Sequence, residues 1–252
     1  MNTSLTDCLV RKDLADVLDF CDGCLTCSCD DELHESVLRF AKVLGFEFVL
    51  YAYQKHAYNT EGTVEFVNLS NPKEWMEEYH ENNYLLHDPI RIELEARLRE
   101  EPIRCSIHWD AYQRQLSRGE VEVIKRRRSF GLRYGFSVFD NSRSQNSIFL
   151  ISFSSKDQEV DERCQAMGCL IVPHLNRCRK RLNLLMLVDQ LTARERAVAR
   201  WLAEGKTNWE IATILKVSSS TVKFHVANIL KKLNVPNRQG AIVTLLAVRL
   251  LS

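Results

Sequence analysis

Thr207-Asn-Trp-Glu-Ile-Ala-Thr-Ile-Leu-Lys-Val-Ser-Ser-Ser-Thr-Val-Lys-Phe-His-Val226 holds two helix starts and one tight turn. Thr207 with Glu210 forms a capping box: a Thr hydroxyl and a Glu carboxylate three residues on satisfy orphan N–H groups at a helix start. Thr192-Ala-Arg-Glu195 repeats the pattern upstream and opens a helix through Val198, Trp201 and Leu202 that ends at Gly205. The second box opens a short helix through Ile211, Ala212, Ile214 and Leu215. Ser218-Ser219-Ser220 then caps a third helix, Thr221 to Leu233, which Pro236 closes. A fourth runs from about Asn237 to Leu251. Four short helices with a tight turn between the second and third meet the requirements of a helix-turn-helix.

The third helix divides by face. Val222, Val226, Ile229 and Leu233 recur at helical spacing and point inward, which leaves Lys223, Phe224, Ala227 and Lys231 opposite. Serine hydroxyls and unsatisfied N–H groups at its start suit phosphate, because the helix dipole favours an anion there. Lys223 can reach a guanine edge in a major groove. A merely structural or protein-binding bundle would leave this face free to be acidic, yet it carries no Asp or Glu. Charge agrees: from Met186 onward ten Lys/Arg stand against four Asp/Glu, a net of +6, so the first 185 residues hold −5 of a total of +1. A basic tail on an acidic body suggests that the tail meets a polyanion and the body does not.

The body alternates helix and strand. Apolar residues at Leu33, Val37, Leu38, Ala41 and Leu44 predict a helix ending at Gly45. Phe46–Tyr53 and Thr63–Leu69 read as strands about a turn at Asn59–Gly62. Pro72 opens a helix through Trp75, Met76 and Tyr79, another follows Asp88-Pro89 to Leu98, and a third covers Glu120–Ser129. Two late strands, Gly135–Phe139 and Ser147–Ser154, flank a turn at Asp140–Ser144. The second is apolar on both faces, so helices should cover both sides of the sheet. A long helix, Glu159–Asn183, follows; its apolar stripe packs on its own sheet or on a partner chain. The basic runs at Arg177–Arg181 and Lys125-Arg126-Arg127-Arg128 read as solvated helix ends. The expectation is an α+β chain: an N-terminal α/β/α sandwich with a central antiparallel sheet, then a small all-α domain.

Composition sets the outer limits. The chain has 252 residues, 45% hydrophobic and 27% charged, without the bias of disordered or collagen-like sequence. No apolar run reaches the roughly 18 residues of a membrane span, and the first residues lack a secretory pattern, so a cytoplasmic protein without membrane contact is expected. The odd count of nine cysteines then favours reduced thiols. Four crowd into Cys21, Cys24, Cys27 and Cys29, where metal binding or redox sensing competes with incidental thiols. As one short loop they could close on zinc only with strain between Cys27 and Cys29, and the spacing fits no common ferredoxin pattern. No metal ligand or cofactor is assigned.

Within the body, Trp75 and Tyr79 share a helix face, Asp88-Pro89 follows, and Trp109 comes later. An indole N–H, a phenol and a carboxylate near an apolar sheet can orient one small polar headgroup. Taken alone, an aromatic pair at helical spacing is more often core.

The C-terminal words Leu191-Thr-Ala-Arg-Glu195, Gly205-Lys-Thr-Asn-Trp-Glu-Ile-Ala212 and Thr221-Val-Lys-Phe-His-Val226, with Lys232-Leu233-Asn234, closely resemble the LuxR/GerE type of helix-turn-helix. The resemblance puts Lys223 and Phe224 at base-reading positions and Arg238 at a phosphate contact. Ala227 falls where several members carry a longer polar residue, so DNA shape would supply part of the specificity. Thr207, Ser218, Ser219, Ser220 and Lys231 complete the candidate DNA face. The body resembles the autoinducer-binding domain of LuxR-type quorum-sensing receptors, with Trp75, Tyr79, Asp88, Pro89, Trp109 and Gly135 in the family's order. By that analogy the ligand is an N-acyl-homoserine lactone. Trp75 donates to its lactone carbonyl, Asp88 accepts its amide N–H, Ser152 donates to its acyl carbonyl, and Tyr79 and Trp109 wall the ring. Asn71 stands where many members place a tyrosine, and the segment between Asp88 and Trp109 is longer than usual. Both point to an unusual acyl or aryl substituent.

The resemblance implies a ligand-binding domain over 1–175, a linker over 176–190 and a DNA-binding domain over 191–252. It implies a non-enzymatic, homodimeric regulator that binds palindromic double-stranded DNA, with RNA polymerase as a further partner. The alternatives are an orphan regulator answering a non-lactone small molecule, or redox or metal through the cysteine cluster. A lactone hydrolase using Asp88 as base is disfavoured, because no His or metal-ligand set accompanies it.

Overall fold

The computed structural model describes residues 8–55, 64–100, 104–142 and 147–251. The turn expected at Asn59–Gly62 and the end of that expected at Asp140–Ser144 lie outside them; Asp140–Ser142 are strand. The chain gathers into two compact units, residues 1–178 and 179–252.

The first unit is built on a five-stranded antiparallel sheet in the order β2-β1-β5-β4-β3. The strands are β1 (Phe48–Lys55), β2 (Val64–Asn68), β3 (Arg104–His108), β4 (Tyr134–Ser142) and β5 (Ser147–Ser155). Its helices are α1 (Arg11–Thr26), α2 (Asp30–Leu44), α3 (Lys73–Glu81), α4 (Pro89–Glu100), α5 (Arg118–Ser129) and the part of α6 (Glu162–Asp189) up to residue 178, with a 3-10 turn at Tyr84–His87. Helix α6 continues through residues 176–189, so nearly all of the expected linker is helical.

The period of two along β5 divides the unit. Phe149, Ile151 and Phe153 are buried on one face, where Phe153 stacks on Phe136 at 5.3 Å and Phe149 meets Tyr51 at 5.6 Å. On that side His34 of α2 hydrogen-bonds the Tyr51 hydroxyl at 2.9 Å. Gly168 of α6 comes so close that a Cβ would stand 2.8 Å from Phe136. Each large side chain buried here contributes about 1.5–3 kcal/mol relative to exposure. Ile148, Leu150, Ser152 and Ser154 face the other way, toward α3, α4 and α5, and a cavity lies between. Helices therefore cover both faces, as the doubly apolar strand requires.

The second unit continues with α7 (Ala193–Ala203), α8 (Asn208–Leu215), α9 (Ser219–Lys232) and α10 (Arg238–Leu251). Leu191, Val198, Leu202, Ile211, Val222, Ile229, Leu233 and Ala241 form its core, with Val226 partly buried against it. Both capping boxes form: the Thr192 and Thr207 hydroxyls accept from Glu195 N and Glu210 N at 3.3 Å each, and the carboxylates accept from the threonine N–H groups at 2.8 and 2.7 Å. Ser218 alone is the cap of α9, accepting from Thr221 N at 3.0 Å, while Ser219 and Ser220 lie in the first turn. The α8–α9 turn passes through Lys216 in the left-handed region, φ +54°. Lys232 reaches back to Glu195 at 2.6 Å and fastens α9 to the start of α7.

Candidate functional site

A cavity of about 130 Å³ lies between the sheet and α3, α4 and α5. Trp75, Tyr79, Asp88, Trp109 and Ser152, named from the sequence on one helix, one strand and two loops, all line it. The remaining wall is mostly apolar, with Leu50, Ala52, Val64, Leu85, Ile90, Leu94 and Leu150 along its length. This is the composition of a small-molecule site: apolar walls with few convergent polar groups.

The aromatic side chains form one packed cluster. Trp75 meets Tyr79 edge-on at 5.5 Å and stacks on Tyr84 at 5.8 Å. Trp109 lies over the backbone of Gly135, where an added Cβ would stand 2.6 Å from its ring and 2.8 Å from the Phe153 carbonyl oxygen. Only glycine leaves room for the indole there. The Trp109 N–H donates to Ser137 Oγ at 2.9 Å, and the Ser137 and Ser152 hydroxyls are 2.7 Å apart.

Asp88 is held from two sides. Its Oδ2 accepts from the Tyr79 hydroxyl at 2.7 Å and its Oδ1 from Ile90 N at 2.8 Å. Burial raises its pKa above the ordinary carboxylate value, against the pull of those two bonds. Burial also raises the Tyr79 phenol well above its usual value, so it stays a donor. The partial exposure of Asp88 is compatible with this, since the carboxyl lines the cavity. Asn71 lines the cavity too, with its side-chain oxygen buried and without a partner among the described residues.

The basic run Lys125–Arg128 departs from the expectation of a solvated helix end. Arg126 makes a two-pronged bond to Glu78 at 2.6 and 2.5 Å, tying α5 to α3. Arg128 pairs with Asp110 at 2.9 Å, and Arg127 is buried at the cavity wall. The sequence signal for these roles is faint. Arg127 falls one turn after Val123 on the inward face of α5, a position that a four-residue basic run disguises.

The cysteine cluster is likewise not one loop. Cys21 and Cys24 sit on α1, Cys27 caps its end and Cys29 precedes α2. Cys24 and Cys27 instead approach Cys178 of α6. The bond to Cys178 raises the Cys24 thiol, and burial pushes Cys27 up to about 11. Both shifts disfavour the thiolate that metal binding or oxidation needs. Among the described residues no group of three or more His, Cys, Asp or Glu is arranged to hold a metal ion. Nor, among them, is any helix long and apolar enough to cross a membrane.

In the second unit Thr207, Ser218, Ser219, Ser220, Lys223, Phe224, Ala227 and Lys231 are all exposed. Phe224 is 63% exposed, which packing within this unit would not leave so open. Arg238 is half-buried and works within the domain: it donates to Asn208 Oδ1 at 2.9 Å and to the Lys206 carbonyl, clamping the start of α10 to the α7–α8 turn.

Comparison with known proteins meets this geometry. The family model for the autoinducer binding domain matches residues 30–178, and that for bacterial regulatory proteins of the luxR family matches residues 189–245. The chain is 32% identical over 224 residues to the transcriptional activator protein VanR of Vibrio anguillarum, covering 84% of this chain and 88% of that one. It is 30% identical over 229 residues to AnoR of Acinetobacter nosocomialis, covering 88% and 93%. Escherichia coli SdiA shares the fold, with a TM-score of 0.56 at 24% identity over 96% of this chain and 98% of that one. With a cavity-bearing domain of the first kind followed by a helix-turn-helix of the second, the chain belongs to the LuxR family of autoinducer-binding, DNA-binding regulators of quorum sensing.

Proposed function

We propose that this chain is a homodimeric transcriptional activator that encloses an N-acyl-homoserine lactone and docks on a palindromic DNA site. The observation that carries the reading is the convergence of Trp75, Tyr79, Asp88, Trp109 and Ser152 on one cavity. In it Trp75 donates its indole N–H to the lactone carbonyl, and Asp88 accepts the amide N–H. Ser152 donates to the acyl carbonyl, while Tyr79 and Trp109 wall the ring. The acyl or aryl tail runs along Leu50, Ala52, Ile148 and Leu150, with Asn71 close to its first carbons.

A ligand that becomes part of the core stabilises the folded state by RT ln(1 + [L]/Kd), about 2.7 kcal/mol at a hundredfold excess over Kd. The stabilised dimer then presents two α9 helices to successive major-groove turns. Lys223 and Phe224 read bases, and Ser218, Ser219, Ser220, Thr207, Lys231 and Arg238 meet or support contacts to phosphate. Val243 and Leu246 are exposed on α10 and favour a second copy there. In this reading residues 1–175 receive the signal, 176–190 connect, and 191–252 bind DNA, with RNA polymerase as the next partner.

Expression with and without a panel of acyl-homoserine lactones, scored for dimer and for operator gel-shift, tests the proposal. Lactone should raise the yield of dimer and its DNA affinity. Asp88→Ala should lose that response while residual DNA contact at low salt survives. Failure to bind any duplex at low salt, with or without lactone, refutes the reading.

A further inference from the structure

The head of the cavity holds a cation for which the lactone contacts above have no use. Arg127 projects from α5, is 3% exposed and lines the cavity. Its guanidinium carbon lies 4.3 Å from the centre of the Trp109 ring. One nitrogen, Nη2, has long contacts to the Trp109 carbonyl at 3.4 Å and to Asp110 Oδ1 at 3.3 Å. The other two, Nε and Nη1, are buried and have no hydrogen-bond partner among the described residues. The nearby Tyr112 hydroxyl is in the same condition. Asp110, shared with Arg128, offsets part of the charge but leaves those N–H groups unmet.

Buried donors without acceptors are costly, and the cost is larger for a charged group. A purely structural arginine would be expected to satisfy its fork within the fold. This one has long contacts on one nitrogen, none among the described residues on the other two, and lines the cavity. Burial also lowers the Arg127 pKa, which is the mark of a cation short of compensating contacts. What completes it must bring oxygen acceptors to the head of the cavity. Asp88 faces the same space, so a neutral acceptor is favoured over a second carboxylate.

We propose that Arg127 is a specificity-determining residue, donating from Nε and Nη1 to the ester oxygens of the ligand headgroup. The inference rests on the lactone reading and deepens it. Arg127 selects the oxygenated ring, whereas Asp88 accepts the amide N–H that any acylated amine would carry.

The test titrates full-length wild type, Arg127→Gln and Arg127→Lys with three ligands sharing one acyl chain. These are the homoserine lactone, its ring-opened acid, and the N-cyclopentyl amide that lacks both ester oxygens. Arg127→Gln should bind the lactone roughly 10- to 100-fold more weakly and the cyclopentyl amide within about twofold of wild type. Arg127→Lys, which keeps the charge but loses the fork, should fall between; it carries the comparison if the Gln variant does not fold. The readout is the lactone-to-amide affinity ratio, which a general loss of folded protein does not move. Equal losses for both ligands, or no loss for either, overturn the role of Arg127 while leaving the lactone reading intact. Tighter wild-type binding of the ring-opened acid than of the lactone overturns the ester assignment. No wild-type affinity for any acyl-homoserine lactone overturns the underlying reading and this inference with it.

Discussion

The Trp109 indole N–H donates to Ser137 Oγ over 2.9 Å, and Ser137 Oγ lies 2.7 Å from Ser152 Oγ, where either hydroxyl can donate. The indole on one wall is thereby tied through two hydroxyls to Ser152 on the sheet that lines the cavity.

The two serines should consequently fail in different ways. Ser137→Ala leaves the Trp109 N–H buried without an acceptor and should destabilise the unliganded protein by about 1–3 kcal/mol. Ser152→Ala keeps the Trp109–Ser137 bond, should cost well under that in stability, and should weaken acyl-ligand binding by about tenfold. Urea unfolding and a ligand titration on both variants check this. A Ser152→Ala protein that binds as tightly as wild type removes the hydroxyl from ligand contact.

On the proposed reading, Tyr79 should make ligand affinity depend on pH through Asp88. An amide N–H prefers a charged acceptor, so affinity should decline as pH falls through the raised Asp88 pKa. The Tyr79 hydroxyl favours the charged form across 2.7 Å. Tyr79→Phe should therefore move the midpoint of that decline to higher pH. Stability of the unliganded protein runs the other way. Because the folded pKa of Asp88 is raised, its contribution is fully present below the unfolded value, about 3.9, and is lost as pH rises through the folded one. Ligand titrations at a series of pH values upward from the ordinary carboxylate value, about 3.9, read the midpoint directly. An unmoved or lowered midpoint in Tyr79→Phe would contradict the coupling.

The cavity was legible in the sequence where spacing alone carries the information. Trp75 and Tyr79 are one turn apart, whereas Ser152 came only with the family resemblance, because a strand apolar on both faces does not mark which side holds the cavity. It was not legible at Arg127, because a basic run reads as solvent-facing unless one knows that α5 closes against a sheet with a gap in front of it. Helix α1 was missed for a related reason. Its inward residues Val17, Phe20 and Cys24 follow helical spacing, but the crowded cysteines mask that period in the sequence. The edge strand β3 carries Arg104 and His108 in five residues, and nothing local marks it as sheet. Its pairing with β4 is a long-range fact.

Glu120 gives the cavity domain an acid-sensitive joint. Arg114 bonds its carboxylate, and Ser117 N donates to it at 2.8 Å as the capping box of α5. The Arg114 bond is the main reason its pKa falls to about 2. Since the folded pKa is depressed, this stabilisation is present above the unfolded value, about 4.3, and is lost as pH falls toward 2. With Arg114 half-exposed, about 1–2 kcal/mol is the expected size after solvent screening. Glu120→Gln should flatten the acid limb of a stability-against-pH curve over that window and loosen α5, which carries Val123 and Arg127. An acid limb identical to that of wild type would show that the joint contributes nothing.

On α9, Lys223 and Lys231 should separate reading from holding. Both are exposed, but Lys223 lies in the second turn beside Phe224, whereas Lys231 is in the last turn. A side chain near the start of the recognition helix can reach a base edge, and one at the far end meets backbone. Lys223→Ala should cost about 1–3 kcal/mol on the preferred operator and little on random duplex, relaxing specificity. Lys231→Ala should weaken both duplexes about equally and reduce the slope of log affinity against log salt by about one. Gel-shift titrations on the two duplexes at several salt concentrations give both quantities. Equal loss on operator and random duplex in Lys223→Ala would demote it from base reading to charge.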